Sequence, residues 1–592
     1  VDGGWARAVP LAAPRTFPAA DGERFRAVAF PTSGEATLEL RTADGSSELR
    51  LARPQPLDFE LAGPQATLAA SPGVELLRPR VLAGKDKRGR RVLLAVADTL
   101  RFDYADEERM PELWSYFADG TRFLRAYSPA SWTLPSLASV FTGQLPSQLR
   151  SPDGTLISLA PGAETIASEL HRRGSVTVGV TANYTVNHEN GFSTGFDLFF
   201  APPPATGGEA SGGLPDARWI AERAREAADW FAGEDLFLYL QFMEPHEPYR
   251  DHETGRALGV PMGDRNPDPA TLAALRSAYA SEARYLSREL GALLRHLGEL
   301  DLAVFTADHG EEFFEHGGFR HGPTLYEEVV RVPLWIRGPG FPARTVAEPI
   351  SLVALKRLLL RGPDGIPQGR TPNRVTMETF SYGPPRWSCI LDHTQVIYFA
   401  RRLVPENAEH PTARWLQENH PRMSFSDLDG WPIDPGGDLV RRSVDQLLEH
   451  FAGHRRGLFL LFEEGSEAAL EVSGAGRDGL LWGDAEHLAV NEAGPAKLQV
   501  EVREPRPFAL LFLPVPEGGE EERTAGTPDR GPRVVDLASG RPLAVAPIAA
   551  VSDPEARRPA GAVSVWLDPG RPPAVLRGAE ETLERLKALG YI

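Results

Sequence analysis

At 592 residues the chain is too long for one hydrophobic core, and length alone points to three or four domains. A composition of 42% hydrophobic and 24% charged residues excludes a fibrous or wholly disordered chain. The formal net charge of −18 argues against nucleic acid or an anionic membrane as a partner held by broad electrostatics.

The basic residues are almost all arginine; Lys85, Lys87, Lys356, Lys497 and Lys587 are the only lysines. No basic run stands out, so the arginine excess reads as compositional bias and not as a polyanion surface. Cys389 is the sole cysteine, which excludes an internal disulfide and a thiolate metal cluster. No run of about 18 apolar residues exists to span a bilayer as a helix. The chain starts at Val1 without a Met, from which removal of an upstream segment is expected.

The chain opens with short alternating runs at Arg26–Phe30, Ala36–Arg41 and Glu48–Ala52, separated by Gly, Pro, Asp and Ser. This pattern predicts a small antiparallel β domain over residues 1–88, ending in the charged linker Gly84–Arg91. Apolar runs with little alternation then follow at Val92–Ala97, Val176–Thr181, Leu236–Phe242, Leu302–Thr306 and Val332–Ile336. They fit strands buried on both faces of a mostly parallel sheet. Helical patterns lie between them at Glu164–Arg173, Ala217–Phe231 and Pro269–Leu297. The alternation predicts an α/β sandwich over residues 89–362, with function at the carboxyl ends of the strands.

Residues 363–455 read as a C-terminal part of the same unit, with strands at Val375–Phe380 and Gln395–Ala400 and a helix at Leu439–Phe451. Residues 456–573 return to β character at Leu458–Phe462, Ala469–Val472, Lys497–Val502 and Phe508–Leu513. Loops rich in Gly, Glu and Pro interrupt this module at Glu517–Arg530 and Asp553–Gly561, and both are expected to be mobile. A terminal helix is expected over residues 574–592.

Four segments place polar residues just after a buried strand or at a helix start. Asp98 ends the run Val92–Ala97, where a carboxylate is costly unless it is paired, holds a cation or caps the next turn. In Ser131-Trp-Thr133-Leu-Pro135-Ser136, Pro135 suits the first turn of a helix that stops at Gly143. Thr133 and Ser136 then lie at its positive end, either as anion-site hydroxyls and nucleophile or with Thr133 or Ser131 as a plain N-cap. Asp308 and His309 follow the run Leu302–Thr306, and a Gly-rich loop adds Glu311, Glu312, Glu315, His316 and His321. Oxygen and imidazole donors together suit Mn, Zn, Mg or Ca. His246 lies between Pro245 and Pro248 after Leu236–Phe242, a rigid turn that is either structural or catalytic.

In order, Asp98-Thr-Leu-Arg101, Trp132-Thr-Leu-Pro-Ser136, Pro245-His-Glu-Pro-Tyr249 and Asp308-His-Gly-Glu-Glu312 resemble the sulfatase family of the alkaline phosphatase superfamily. The segment His321–Pro333 is similar to the family's stretch after the second metal motif, and weaker echoes lie at Asp427–Gly437 and Leu589–Ile592. The resemblance covers about Arg90 to Gly340 and neither β module. It implies an alkaline-phosphatase-like fold and one divalent metal ion (Mn, Ca, Mg or Zn), with no organic cofactor. The metal would be held by Asp98, Asp308, His309 and the Thr133 hydroxyl, with His246 and His321 at the transferred group or leaving oxygen. Arg101, Ser136, His316 and Arg320 are the expected substrate contacts.

The departures from the family pattern steer the expected chemistry. Thr133 stands where sulfatases carry the Cys or Ser oxidised to formylglycine, Leu137 replaces the following Arg, and Ala97 replaces the first of two adjacent acids. Oxidised threonine would give a ketone, not the aldehyde whose hydrate reacts. A threonine nucleophile instead resembles the superfamily's phosphodiesterases and its phosphoglycerol and phosphoethanolamine transferases. The expectation is a hydrolase or transferase of phosphate esters, small or linked to glycan or lipid, in an extracytoplasmic, bacterial-like setting. The alternatives are a sulfatase acting without formylglycine, and a degenerate scaffold that binds glycan or protein through its β modules.

Overall fold

A computed structural model describes residues 5–568 except 7, 22, 33–34, 84–88, 150–157, 161, 203–214, 261–265, 367–374, 381–384, 392, 403–419, 421–422, 452–455, 464, 484–485, 495–496, 506–507, 516–531 and 548–562. The expected terminal helix and the two Gly/Glu/Pro loops lie outside the described residues.

Seven strands carry the central sheet: β1 (Arg91–Ala97), β2 (Thr121–Tyr127), β3 (Val176–Thr181), β4 (Leu198–Phe200), β5 (Leu236–Phe242), β6 (Leu302–Ala307) and β7 (Arg331–Arg337). Their spatial order is β4-β3-β5-β1-β6-β7-β2, extended at one edge by Trp5–Ala6 and at the other by Arg344–Val346. The strands from β4 to β6 are mutually parallel. β7 runs antiparallel to β6 and to β2, so the sheet is mixed, and the run Val332–Ile336 is not one of its parallel members. β1, β3, β5 and β6 are buried almost throughout, because helices cover the parallel region.

The helices that flank the sheet pack in two groups. Helix α1 (Thr133–Thr142) contacts Ile166–Arg172 and Leu355–Arg361, whereas α2 (Ala217–Trp230) contacts α3 (Pro269–Leu297), which also packs on Pro111–Tyr116. Asp216 and Asp268 cap α2 and α3 with their side chains, and Gly143 ends α1 in the left-handed conformation. Among the described residues no helix is long and apolar enough to cross a membrane.

Outside this core the chain is β-rich. Residues 8–83 form two four-stranded sheets around Phe25, Leu38, Leu57 and Leu68. Val28, Phe30 and Leu77 of that region join the core of the α/β unit, and Arg78 donates to Asp197 Oδ2 (2.8 Å) across the join. On the C-terminal side, a four-stranded sheet runs Val375–Thr379, Arg386–Leu391, Thr394–Phe399 and Met423–Asp427. Beyond helix Gly437–Phe451, a six-stranded and a five-stranded sheet pack over Leu458, Leu460, Leu470, Val472 and Val500. Cys389 is free and buried.

Leu94 lies at the centre of β1 with no exposure, between β5 and β6. Truncation there leaves a cavity under both neighbours. Leu94→Ala is expected to destabilise the α/β unit by about 2–5 kcal/mol in chemical denaturation; an unchanged unfolding midpoint would contradict this packing.

Candidate active site

Strand register brings the acids together. Ala97 of β1 pairs with Ala307 of β6, so the next residue of each strand, Asp98 and Asp308, emerges at the same level of the sheet. Both carboxyls are fully buried. Asp98 Oδ2 accepts from Asn183 Nδ2 (2.7 Å) and from Gln241 Nε2 (3.3 Å). Asp308 Oδ1 accepts from the backbone N–H of Thr99 (3.2 Å) and of His309 (2.9 Å). The other oxygen of each, Asp98 Oδ1 and Asp308 Oδ2, has no hydrogen-bond partner. A buried carboxylate left half-satisfied in this way is unfavourable unless a cation takes the open oxygens.

His309 supplies the third donor. Its Nδ1–H donates to the Gly310 carbonyl (2.9 Å), which leaves Nε2 as the lone-pair nitrogen. That Nε2 lies 3.7 Å from Asp98 Oδ1 and 3.6 Å from Asp308 Oδ2. Burial, then the neighbouring His321, lowers the His309 pKa to about 3, so the ring is neutral. Donor atoms of Asp98, Asp308 and His309 all lie within 4.8 Å of one another, and the open oxygens and neutral imidazole suit a divalent cation.

Thr133 is the first residue of α1, and its Oγ1 lies 3.4 Å from His309 Nε2. Trp132 occupies the N-cap position without a side-chain capping bond, so neither Ser131 nor Thr133 is the cap. Pro135 sits at the third position of the helix, where its missing N–H costs no intrahelical bond. Asp98 likewise caps no turn.

His321 stands beside His309, with ring centroids 4.4 Å apart, and His246 lies 5.2 Å beyond it. His321 Nδ1 contacts Glu311 Oε1 (2.9 Å), while the Tyr249 hydroxyl donates to Glu311 Oε2 (2.9 Å). Burial, then His246 and Arg320, holds the His321 pKa well below the ordinary histidine range. His246 donates through Nδ1–H to the Glu247 carbonyl (2.6 Å).

The expected substrate contacts fall elsewhere in the network. Arg101 donates to Asp103, to Glu315 Oε1 (2.7 Å) and to the Glu311 carbonyl (3.1 Å). Arg320 pairs with Glu247 and donates to the Val260 carbonyl (3.1 Å). His316 Nδ1 meets Glu328 Oε1 (2.7 Å), and its ring stacks on Tyr326 at 3.6 Å. Buried Arg101 thus has carboxylates at hand, as desolvation demands, and the half-buried Arg320 and exposed His316 are paired as well. Ser136 Oγ donates to the Asp308 carbonyl (2.6 Å), bracing the metal-side turn from within α1.

Several contributors escaped the sequence reading. Gln241 was visible as one amide in the apolar run Leu236–Phe242, which a buried strand tolerates only when it is hydrogen-bonded. Asn183 follows β3 by two residues, one further on than Asp98 and Asp308 after their strands. Thr99, held at φ 61°, and the Tyr279 hydroxyl that donates to its carbonyl (2.5 Å) left no sequence signal. At Gly310 a Cβ would lie 2.1 Å from the Glu328 carbonyl, so only glycine permits this turn to dock.

Two measurements follow from the geometry. Asn183→Ala, which removes the closest donor to Asp98, should weaken divalent-metal affinity about 10–100-fold by titration calorimetry, and an unchanged affinity would contradict the assignment. Burial, then repulsion from Asp308, pushes Asp98 up to about 6, and burial pushes Asp308 up to about 7. Below these values a cation must displace protons, whereas His309 has none to lose. Apparent metal affinity should therefore rise with pH between about 5 and 7.5 and level off above, with protons released only on the rising limb. Affinity independent of pH would contradict the buried carboxyl pair.

A sulfatase family model matches residues 90–360. A 70-residue stretch is 33% identical to the uncharacterized sulfatase YidJ of Escherichia coli strain K12; it covers 12% of this chain and only 14% of that relative's length. Solved structures of similar shape include a phosphonate monoester hydrolase from Silicibacter pomeroyi, 18% identical with a TM-score of 0.46, over 62% of this chain and 95% of that one. A protein in the alkaline phosphatase superfamily from Vibrio parahaemolyticus is 15% identical with a TM-score of 0.41, over 60% of this chain and 85% of that one. Residues 90–360, which hold most of the central α/β sheet and the Asp98–Asp308–His309 cluster, thus match the sulfatase family.

Proposed function

We propose that this chain is a metal-dependent hydrolase or transferase of phosphate esters in which Thr133 Oγ1 is the nucleophile. The observation that carries the reading is the placement of that hydroxyl 3.4 Å from His309 Nε2, beside the open oxygens of Asp98 and Asp308. Asp98, Asp308, His309 and Thr133 would hold one divalent cation, which when bound lowers the hydroxyl's pKa and offsets charge on the ester.

The remaining chemistry belongs to the side chains. The Oγ1–phosphorus bond forms as the bond to the leaving alkoxide breaks, and water or a second alcohol then resolves the phosphothreonine. Glu311 accepts from His321 Nδ1–H, fixes the tautomer and stabilises positive charge on the ring. His321 Nε2, or His246 beside it, takes the Thr133 hydroxyl proton as the new bond forms and delivers it to the leaving oxygen. Ser136 holds the Asp308 backbone against α1, which keeps nucleophile and ligand turn in one frame. The ion-paired Arg101 and Arg320 shape the wall and enter the substrate's field only through these networks.

Threonine at the nucleophile position favours phosphoryl over sulfuryl transfer, because no formylglycine can form there. Thr133→Ala is expected to lower turnover of an aryl phosphodiester at least about 1,000-fold while metal affinity falls no more than about tenfold. A residual rate within a few-fold of the parent would contradict the assignment. In a side-by-side screen, aryl phosphate mono- or diesters should be turned over faster than aryl sulfate. Faster sulfate turnover would reverse the preference, and absence of stoichiometric metal binding would favour a degenerate binding scaffold.

A further inference from the structure

His321 follows a strained residue, Arg320 at φ 79°, and precedes Gly322 at φ 101°, a conformation that glycine supplies without a Cβ clash. The strain at Arg320 persists only where the surroundings over-determine it. Here the restraint converges on one atom. The Gly322 carbonyl accepts two short hydrogen bonds, from Ser131 Oγ (2.6 Å) and from Thr379 Oγ1 (2.6 Å), and both side chains are buried. A carbonyl oxygen has two lone pairs, so these donors satisfy it and fix the Gly322–Pro323 peptide plane, one residue beyond His321.

The two donors come from different parts of the chain. Ser131 precedes Thr133 by two residues, whereas Thr379 ends the strand Val375–Thr379, beyond the sulfatase-family match. That strand is anchored on both sides of α1. The Glu378 N–H donates to the Pro129 carbonyl (2.9 Å), ahead of the helix. The Glu378 carboxylate accepts from Ser147 N (2.7 Å) and Ser147 Oγ (2.8 Å), after the helix. His450 Nε2, on helix Gly437–Phe451, lies 2.7 Å from Glu378 Oε1. The Thr379 hydroxyl is therefore delivered by a segment already locked to the nucleophile's own frame.

We propose that Thr379 is a positioning residue for His321: its hydroxyl fixes the Gly322 peptide and thereby the placement of the His321 imidazole relative to Thr133 Oγ1. The inference rests on the proposed use of His321 in proton transfer. It assigns the strand Val375–Thr379 a part in the chemistry, not only in closing the fold.

Thr379→Val keeps the side-chain shape and removes the donor, whereas Thr379→Ser keeps the donor. On whichever aryl ester the parent turns over, Thr379→Val should lower kcat about 10–100-fold with KM and metal affinity within about threefold, and Thr379→Ser should recover kcat to within about threefold. A Val variant as fast as the parent, or a Ser variant as slow as the Val variant, would overturn the proposal. NMR of histidine-labelled, metal-loaded protein reads the same clamp without turnover: the His321 resonance should shift in Thr379→Val and not in Thr379→Ser. An unmoved resonance overturns the clamp, whereas a parent inactive on every ester overturns only the functional reading above. Ser131→Ala removes the other donor to the same carbonyl and should shift the same resonance, which decides the question if Thr379→Val does not fold.

Discussion

Everything at the carboxyl edge of this sheet depends on two carboxyl groups buried side by side. The register of β1 against β6 sets Asp98 and Asp308 next to each other with no exposure, and like charges in that setting repel. One oxygen of each is satisfied by fixed donors, and the other is left open beside the lone pair of His309. An uncompensated buried pair of this kind would be strongly destabilising if both groups were ionised. A divalent cation or a proton on each group relieves it. That single constraint explains why Asn183, Gln241, Thr99 and Ser136 all spend their hydrogen bonds on holding two aspartates still.

The rest of the site is arranged around the same edge. α1 brings Thr133 to His309, the loop after β6 returns His321 over it, and the turn after β5 adds His246 at the rim. Carboxylates from three separate segments pair the arginines near this edge: Asp103 and Glu315 take Arg101, and Glu247 takes Arg320. On the proposed function, the positive charge facing an ester would be that of a cation held at the aspartate pair. The strand Val375–Thr379 closes the arrangement from behind, bonded both to the segment that leads into Thr133 and to the carbonyl after His321.

How much of this was legible in the chain varies with how local the cause is. The parallel strands could be read because burial on both faces writes an unbroken apolar run, as in Val176–Thr181 and Leu236–Phe242. β2 could not, since Thr121–Tyr127 carries Arg122 and Arg125 among its apolar residues. Asp98, Thr133, Asp308 and His309 stood out because polar groups follow apolar runs or open a helix, and the structure brings these four together. Arg101, His316 and Arg320 looked like substrate contacts for the same reason any cation near a site does. Their carboxylate partners lie up to 214 residues away, which no local pattern announces. Thr379 is the extreme case: an ordinary threonine at a strand end, significant only through one carbonyl in another part of the chain.

The most direct test is crystallographic. Crystals soaked in Mn²⁺ should show one anomalous peak bounded by Asp98 Oδ1, Asp308 Oδ2, His309 Nε2 and Thr133 Oγ1. A peak elsewhere, or a Thr133 hydroxyl turned away from an occupied Asp98–Asp308–His309 centre, would contradict the assignment of this edge as a metal-activated threonine nucleophile.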